Sequence, residues 1–139
     1  MTNMVLDTGG IYALLDRKDP DHGRCVAAIS SAADLIVPPL VLVEVDYWCR
    51  KGTGGPAGFS AFMADVMAGA YRLEHLDDDD IIRATELETE YASLDLGLVD
   101  ASVIALCERL GEQAVLTLDR RDFSVVRPRH CIALHLLPD

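Results

Sequence analysis

Three short apolar runs constrain this chain more than anything else in it. Met4-Val5-Leu6, Leu35-Ile36-Val37 and Ala114-Val115-Leu116 are continuous rather than alternating, and turn-forming or charged residues bound each of them. Strands buried on both faces read this way, because neither side of the pleat meets water. The first run stops at Asp7-Thr8-Gly9-Gly10 and the second at Pro38-Pro39. Between the runs, apolar residues recur at helical spacing: Ile11, Leu14 and Leu15; Val26 and Ile29; Leu40, Val41, Val45 and Trp48, ended by the cluster Gly52 to Pro56; and Phe59, Phe62, Met63 and Val66. Later come Ala84, Leu87, Tyr91 and Leu94, then Val103, Ile104, Cys107 and Leu110, with Gly111 placed to close that helix. Alternation from Ala70 to Leu76 and the tail from Cys131 to Leu137 predict two more strands. Strands alternating with helices imply an α/β fold with a mostly parallel central sheet covered on both faces.

With 139 residues, half of them hydrophobic, the chain suits one domain spanning residues 1–139, and it shows no repeat or linker. Twelve basic against 23 acidic residues leave a net charge of -11. That balance excludes a protein that grips nucleic acid by overall charge, since neutralising phosphates needs a concentrated basic surface. No run approaches the ~18–20 apolar residues of a membrane span, and MTNMVLDTGG has neither a basic leader nor an apolar signal core, so a cytoplasmic protein is expected. Cys25, Cys49, Cys107 and Cys131 contain no C-x-x-C pair and are expected as reduced core thiols. Asp77 to Asp80 read as a helix cap and solvated turn, because acids in a first turn are favoured by the macrodipole.

In open α/β sheets, ligands gather beyond the carboxyl ends of the strands. Asp7 and Asp119 each follow a strand and emerge at that rim. Glu44 and Asp100 lie on helices whose neighbours at helical spacing are apolar, so both are expected to face inward. Carboxylates ~4 Å apart repel by ~4 kcal/mol per pair at an effective dielectric of about 20, and a bound cation resolves that repulsion. An all-oxygen donor set favours a hard ion, Mg²⁺ or Mn²⁺, over zinc. Asp95 and Asp122 are expected as turn or capping residues. Thr8 and Thr117 either orient the acids or do ordinary turn and strand chemistry. His22, His75, His130 and His135 form no constellation by spacing, and Trp48 and the phenylalanines are expected in the core. The basic clusters are Arg17-Lys18, Arg50-Lys51, Arg120-Arg121 and Arg127 to His130, of which Arg120-Arg121 stands beside the rim and suits flanking phosphates.

The segments Val5-Leu6-Asp7-Thr8-Gly9, Leu42-Val43-Glu44-Val45, Leu98-Val99-Asp100-Ala101-Ser102 and Leu116-Thr117-Leu118-Asp119, with Asp122-Phe123 downstream, resemble a PIN domain. Size and segment order are most similar to the VapC-type toxins of bacterial toxin–antitoxin pairs, and the resemblance spans essentially the whole chain. It implies a three-layer α/β/α sandwich and a Mg²⁺- or Mn²⁺-dependent endoribonuclease with Asp7, Glu44, Asp100 and Asp119 as its acids. Asp7 and Asp100 would be direct metal ligands, Glu44 and Asp119 would complete the site, and either of the latter two would orient the attacking water. The resemblance further implies 5′-phosphate and 3′-hydroxyl products, a small VapB-like antitoxin over the acidic groove, and a homodimer. Gly10 departs from the bulkier residue usual there and would loosen the turn after Asp7.

Two other readings stand beside this one. Leu6-Asp7-Thr8-Gly9 also satisfies the D-T-G signature of aspartic proteases, but the helical periodicities elsewhere are wrong for an all-β protease. The non-enzymatic alternative is an inactive PIN-like module that binds a cation or a protein partner; retention of all four acids argues against it.

Overall fold

A computed structural model describes residues 2–52 and 55–139. The three apolar runs form β1 (Met4–Leu6), β2 (Leu35–Val37) and β4 (Ala114–Leu116), joined by β3 (Arg72–Leu73) and β5 (His135–Leu137). All pairings are parallel, in the order β3-β2-β1-β4-β5. Register places Val5 opposite both Ile36 and Val115, and all three are fully buried. Such a strand is lined with apolar side chains because helices cover both faces.

The helices are α1 (Thr8–Leu15), α2 (His22–Ile29), α3 (Val41–Lys51), α4 (Gly55–Met67), α5 (Asp78–Glu90), α6 (Leu98–Leu110) and α7 (Arg120–Val125). α1 packs on α2 and α3, and α3 on α4, whereas α5 packs on α6. From β1 the chain steps outward to β2 and β3, then crosses back to β4 and β5. With the usual crossover handedness, that reversal puts the two helix groups on opposite faces of the sheet. The strand order changes direction between β1 and β4, the switch point at which open α/β sheets form a crevice beyond the carboxyl ends of the strands.

The all-parallel sheet removes the aspartic-protease reading, which requires an all-β fold. Two expected strands prove shorter than their patterns: only Arg72–Leu73 of the 70–76 stretch pairs, and only His135–Leu137 of the tail. Thr53 and Gly54, within the cluster expected to end α3, lie outside the described residues, and Gly55 already opens α4. Gly111 adopts φ 69° at the end of α6, the left-handed conformation that makes glycine the favoured residue there. Cys25, Cys49 and Cys107 are buried free thiols and Cys131 is partly exposed.

The acidic run does cap α5. The Asp77 carboxylate accepts from the Asp80 amide at 2.8 Å, and the Asp80 carboxylate accepts from the Asp77 amide at 3.1 Å. It is not a solvated turn throughout, because Asp80 is buried and accepts from Arg109 Nε at 2.8 Å. Together with the Arg83–Glu108 pair, also 2.8 Å, this ties α5 to α6 by charge as well as by packing.

Gly10 tightens the fold rather than loosening it. A Cβ at this position would stand 2.7 Å from the Leu116 carbonyl oxygen and 2.8 Å from Leu116 Cγ, so its absence lets α1 lie directly on β4. Alanine normally improves a helix by ~1 kcal/mol over glycine. Gly10→Ala is nonetheless expected to destabilise by roughly 1–3 kcal/mol, because the backbone oxygen cannot step aside. Gly58→Ala, in open space on α4, should instead be neutral or stabilising. Urea unfolding of the two variants checks the opposite signs.

Candidate active site

Asp7 ends β1 and precedes α1. Its amide donates to the Leu116 carbonyl at 2.9 Å, continuing the ladder by one residue, and its extended backbone (φ -91°, ψ 167°) leaves the side chain uncommitted to capping the helix. The residue is 4% exposed. Oδ2 accepts from Thr117 Oγ1 at 2.8 Å, while Oδ1 is buried with no hydrogen-bond partner among the described residues. Thr117 Oγ1 also accepts from the Asp119 amide at 3.0 Å. That incoming bond directs the single hydroxyl proton of Thr117 to Asp7 and leaves Oδ1 as the free face of the carboxylate.

Thr8, the first residue of α1, donates from Oγ1 to Glu44 Oε1 at 2.6 Å. Both threonines therefore orient acids, and their roles exceed turn and strand chemistry. Glu44 itself is only half-buried. The inward face of α3 is Val41, Val45 and Cys49, so Glu44 sits at its margin, not among its core residues as the spacing suggested. Trp48, one turn further on, is exposed and not in the core.

Across the crevice, Asp100 lies in the first turn of α6, Asp119 immediately precedes α7, and Asp122 lies in the first turn of α7. One carboxylate oxygen from each falls within 4.8 Å of the others. Asp7 and Glu44 stand outside this triad but within its electrostatic reach. Burial, followed by the charges of Asp7, Asp119, Glu44 and Asp122, raises the Asp100 pKa to about 7. Asp7 is raised to about 6, chiefly by burial and secondarily by Glu44 and Asp119, against the lowering effect of the Thr117 hydroxyl bond and the nearby Thr8 amide. Asp100 thus senses the charges of Asp7, Asp119 and Glu44, and Asp7 those of Glu44 and Asp119.

Asp122 is the residue that sequence reasoning undervalued. It does not serve as the cap of α7, since Asp119 holds that position, and its side chain is largely buried beside Asp100 and Asp119. The available signal was the spacing Asp119-x-x-Asp122, which puts both carboxylates on one side of a helical turn. Asp95, in contrast, is a turn residue at φ 53°.

The basic clusters mostly do not face the crevice. Arg120 donates to the Pro138 and Leu136 carbonyls at 2.9 and 3.3 Å and pins the carboxyl-terminal strand, so it is not free to meet a phosphate. Arg121 is 81% exposed beside Asp122. Arg127, Arg129 and His130 bond to the Ser124 carbonyl, Glu86 and the Glu112 carbonyl. His22 bonds the Ala13 carbonyl, away from the acids.

A buried Asp7 oxygen without a hydrogen-bond partner among the described residues, together with the clustered carboxylates of Asp100, Asp119 and Asp122, of which Asp100 holds its proton abnormally tightly, is a donor set suited to a hard cation. The PIN domain family matches residues 4–127, and the chain belongs to that family. It is 35% identical over 126 residues to ribonuclease VapC26 of Mycobacterium tuberculosis, covering 90% of this chain and 93% of the relative. Among solved structures it is similar to VapC20 of Mycobacterium tuberculosis, described as a toxin that cleaves the sarcin-ricin loop (TM-score 0.77, 22% identity, 86% and 92% of the two chains). It is also similar to VapBC2 of Rickettsia felis bound to promoter DNA (TM-score 0.69, 12% identity, 99% and 100%). These likenesses match the three-layer fold expected for a PIN-like domain.

The raised acids fix a pH dependence. A carboxyl that holds its proton more tightly folded than unfolded stabilises the fold fully below the unfolded pKa near 4, and that contribution is lost as pH rises through 6 to 7. In EDTA, Asp100→Asn is therefore expected to gain roughly 2–3 kcal/mol on wild type between pH 5 and pH 8. Urea unfolding at the two pH values measures the difference.

Proposed function

We propose that this protein is a divalent-metal-dependent endoribonuclease that hydrolyses RNA phosphodiester bonds and acts as the toxin of a toxin–antitoxin pair. The observation that carries the reading is the unpartnered Oδ1 of buried Asp7, set at the sheet's switch point beside the acids of α6 and α7. Kinship with ribonuclease VapC26 supports the reaction class. Asp7 and Asp100 would hold the ion directly, with Asp119, Asp122 and Glu44 completing its surroundings. A hard dication there supplies Lewis acidity, lowering the pKa of adjacent water and offsetting charge on the phosphoryl oxygens.

The chain's own groups do the rest. Thr117 fixes Asp7 through one oxygen and leaves the other free to take a ligand. Thr8 holds Glu44 by Oε1, which leaves Oε2 to accept a proton from the attacking water. Water oxygen bonds to phosphorus as the bond to O3′ breaks; O3′ takes up a proton, and 5′-phosphate and 3′-hydroxyl ends result. Solved VapBC complexes among the structural relatives support a small antitoxin as partner. An antitoxin arginine suits the acidic groove, and the toxin itself would form a homodimer. No helix of the described residues is long and apolar enough to cross a membrane.

Mapping RNA ends after expression of wild type and Asp100→Asn tests activity and substrate together. Purified wild type should cut RNA with Mg²⁺ or Mn²⁺ and stop in EDTA, while Asp7→Asn and Asp100→Asn fall to background. Equal cutting by all three would remove the site assignment; no cutting by folded wild type would favour the inactive cation-binding or protein-interaction module. Thr117→Val is expected to lose about 10- to 100-fold in activity and in Mn²⁺ affinity, as loss of an outer partner of a metal ligand usually does, with Thr117→Ser restoring most of both.

A further inference from the structure

We infer that the exposed face of α3 next to Glu44 is a stacking platform for single-stranded RNA, with Trp48 and Tyr47 receiving bases and Lys51 and Arg50 receiving phosphates. The inference rests on the ribonuclease reading and adds to it the path of the strand. Trp48 is 52% exposed and Tyr47 46%, unusual for large aromatic rings on a helix that already buries Val41, Val45 and Cys49. The two rings meet edge to face, with centroids 5.4 Å apart and planes at 80°, so each braces the other while about half of each residue stays exposed to a ligand.

The cations are on the same turns. Lys51 Nζ lies 5.7 Å and the Arg50 guanidinium 5.9 Å from the Tyr47 ring centroid. Arg50 is partly engaged by Asp46 at 3.3 Å. Lys51, with Arg17 and Lys18, makes no ion pair among the described residues, whereas the other arginines are held by carboxylates or carbonyls. In a chain of net charge -11, a free cation over an exposed aromatic is a scarce combination. It matches what binds single strands, where base stacking is tolerant of sequence and cations follow the backbone.

Position connects this face to the chemistry. Tyr47 and Trp48 are three and four residues beyond Glu44, hence on the same side of the helix about one turn away, roughly 5–6 Å. A strand whose phosphate lies at the acids therefore brings a neighbouring base over the rings. A duplex hides its base faces, so the platform selects unpaired RNA.

Trp48 is the chain's single tryptophan, and its fluorescence reports on this face alone. With a 12-nucleotide poly(A) RNA and cleavage-blocked Asp100→Asn, titration at low salt should quench that emission. Adding Tyr47→Ala or Lys51→Glu should weaken the affinity about tenfold. On an RNA that wild type cuts, Trp48→Ala should raise KM about tenfold, with the loss falling on KM more than on kcat; circular dichroism confirms that these surface variants fold. Unchanged emission with RNA and an unchanged KM in Trp48→Ala, while wild type cuts, would overturn the inference. So would an unchanged KM accompanied by loss of the dimer in light scattering, which assigns the face to a second copy. Quenching by RNA in a protein that cuts nothing would uphold the platform and defeat the ribonuclease reading instead.

Discussion

A carboxylate enclosed at the end of the central strand is the demand around which this molecule is organised. Asp7 cannot be satisfied by its own helix, since the extended backbone that carries the chain from β1 into α1 keeps its side chain off the helix amides. One oxygen is answered by Thr117 and the other by no hydrogen bond among the described residues. An enclosed carboxylate without full compensation costs several kcal/mol or keeps its proton, and the upward displacement of Asp7 and Asp100 shows the second outcome. The site is thus electrostatically unfinished as a protein, and a cation is what would finish it.

The topology makes this arrangement economical. Because the sheet reverses direction between β1 and β4, their carboxyl ends open side by side, and the loops that leave them diverge to opposite helix layers. Thr117 stands at the junction: its hydroxyl joins the Asp119 amide on one loop to the Asp7 carboxylate on the other. Gly10 serves the same junction from the side, allowing α1 to lie against the Leu116 backbone and so fixing the height of Thr8 and its partner Glu44. Packing and chemistry are not separable here, since the close contact that stabilises the sheet also sets the geometry of two acids.

Much of this was legible before any coordinates, for identifiable reasons. Continuous apolar triplets have few alternatives to a buried parallel strand, and acids directly after them can only emerge at the rim. Side-chain direction on helices was less legible. Leu40, Val41, Val45 and Trp48 share a period, yet only Val41 and Val45 reach the core, because the helix is covered on one side by α1 and α4 and Trp48 rotates past that edge. Asp122 looked like a cap because capping is local, while its approach to Asp100 depends on how α7 is docked, which no short window records. Arg120 failed for the same reason: the carbonyls that engage it lie 16 and 18 residues away.

The acidic surface and the proposed RNA substrate are reconciled by where positive charge has been spent. Arg83 and Arg109 are committed to Glu108 and Asp80 inside the α5–α6 layer, Arg72 to Asp34, and Arg120 to the tail. Such pairs lock elements together but contribute no external field. A polyanion approaching this chain meets a repulsive surface nearly everywhere, and at long range association gains nothing from steering. Binding must then come from short-range terms: the cation suited to the acids, and whatever stacking and local positive charge lie within one helical turn of them. On the proposed RNA substrate, recognition of that kind would be weak on featureless strands and strong only where unpaired bases and a scissile phosphate are presented together, and the overall acidity would then work as a filter on substrates.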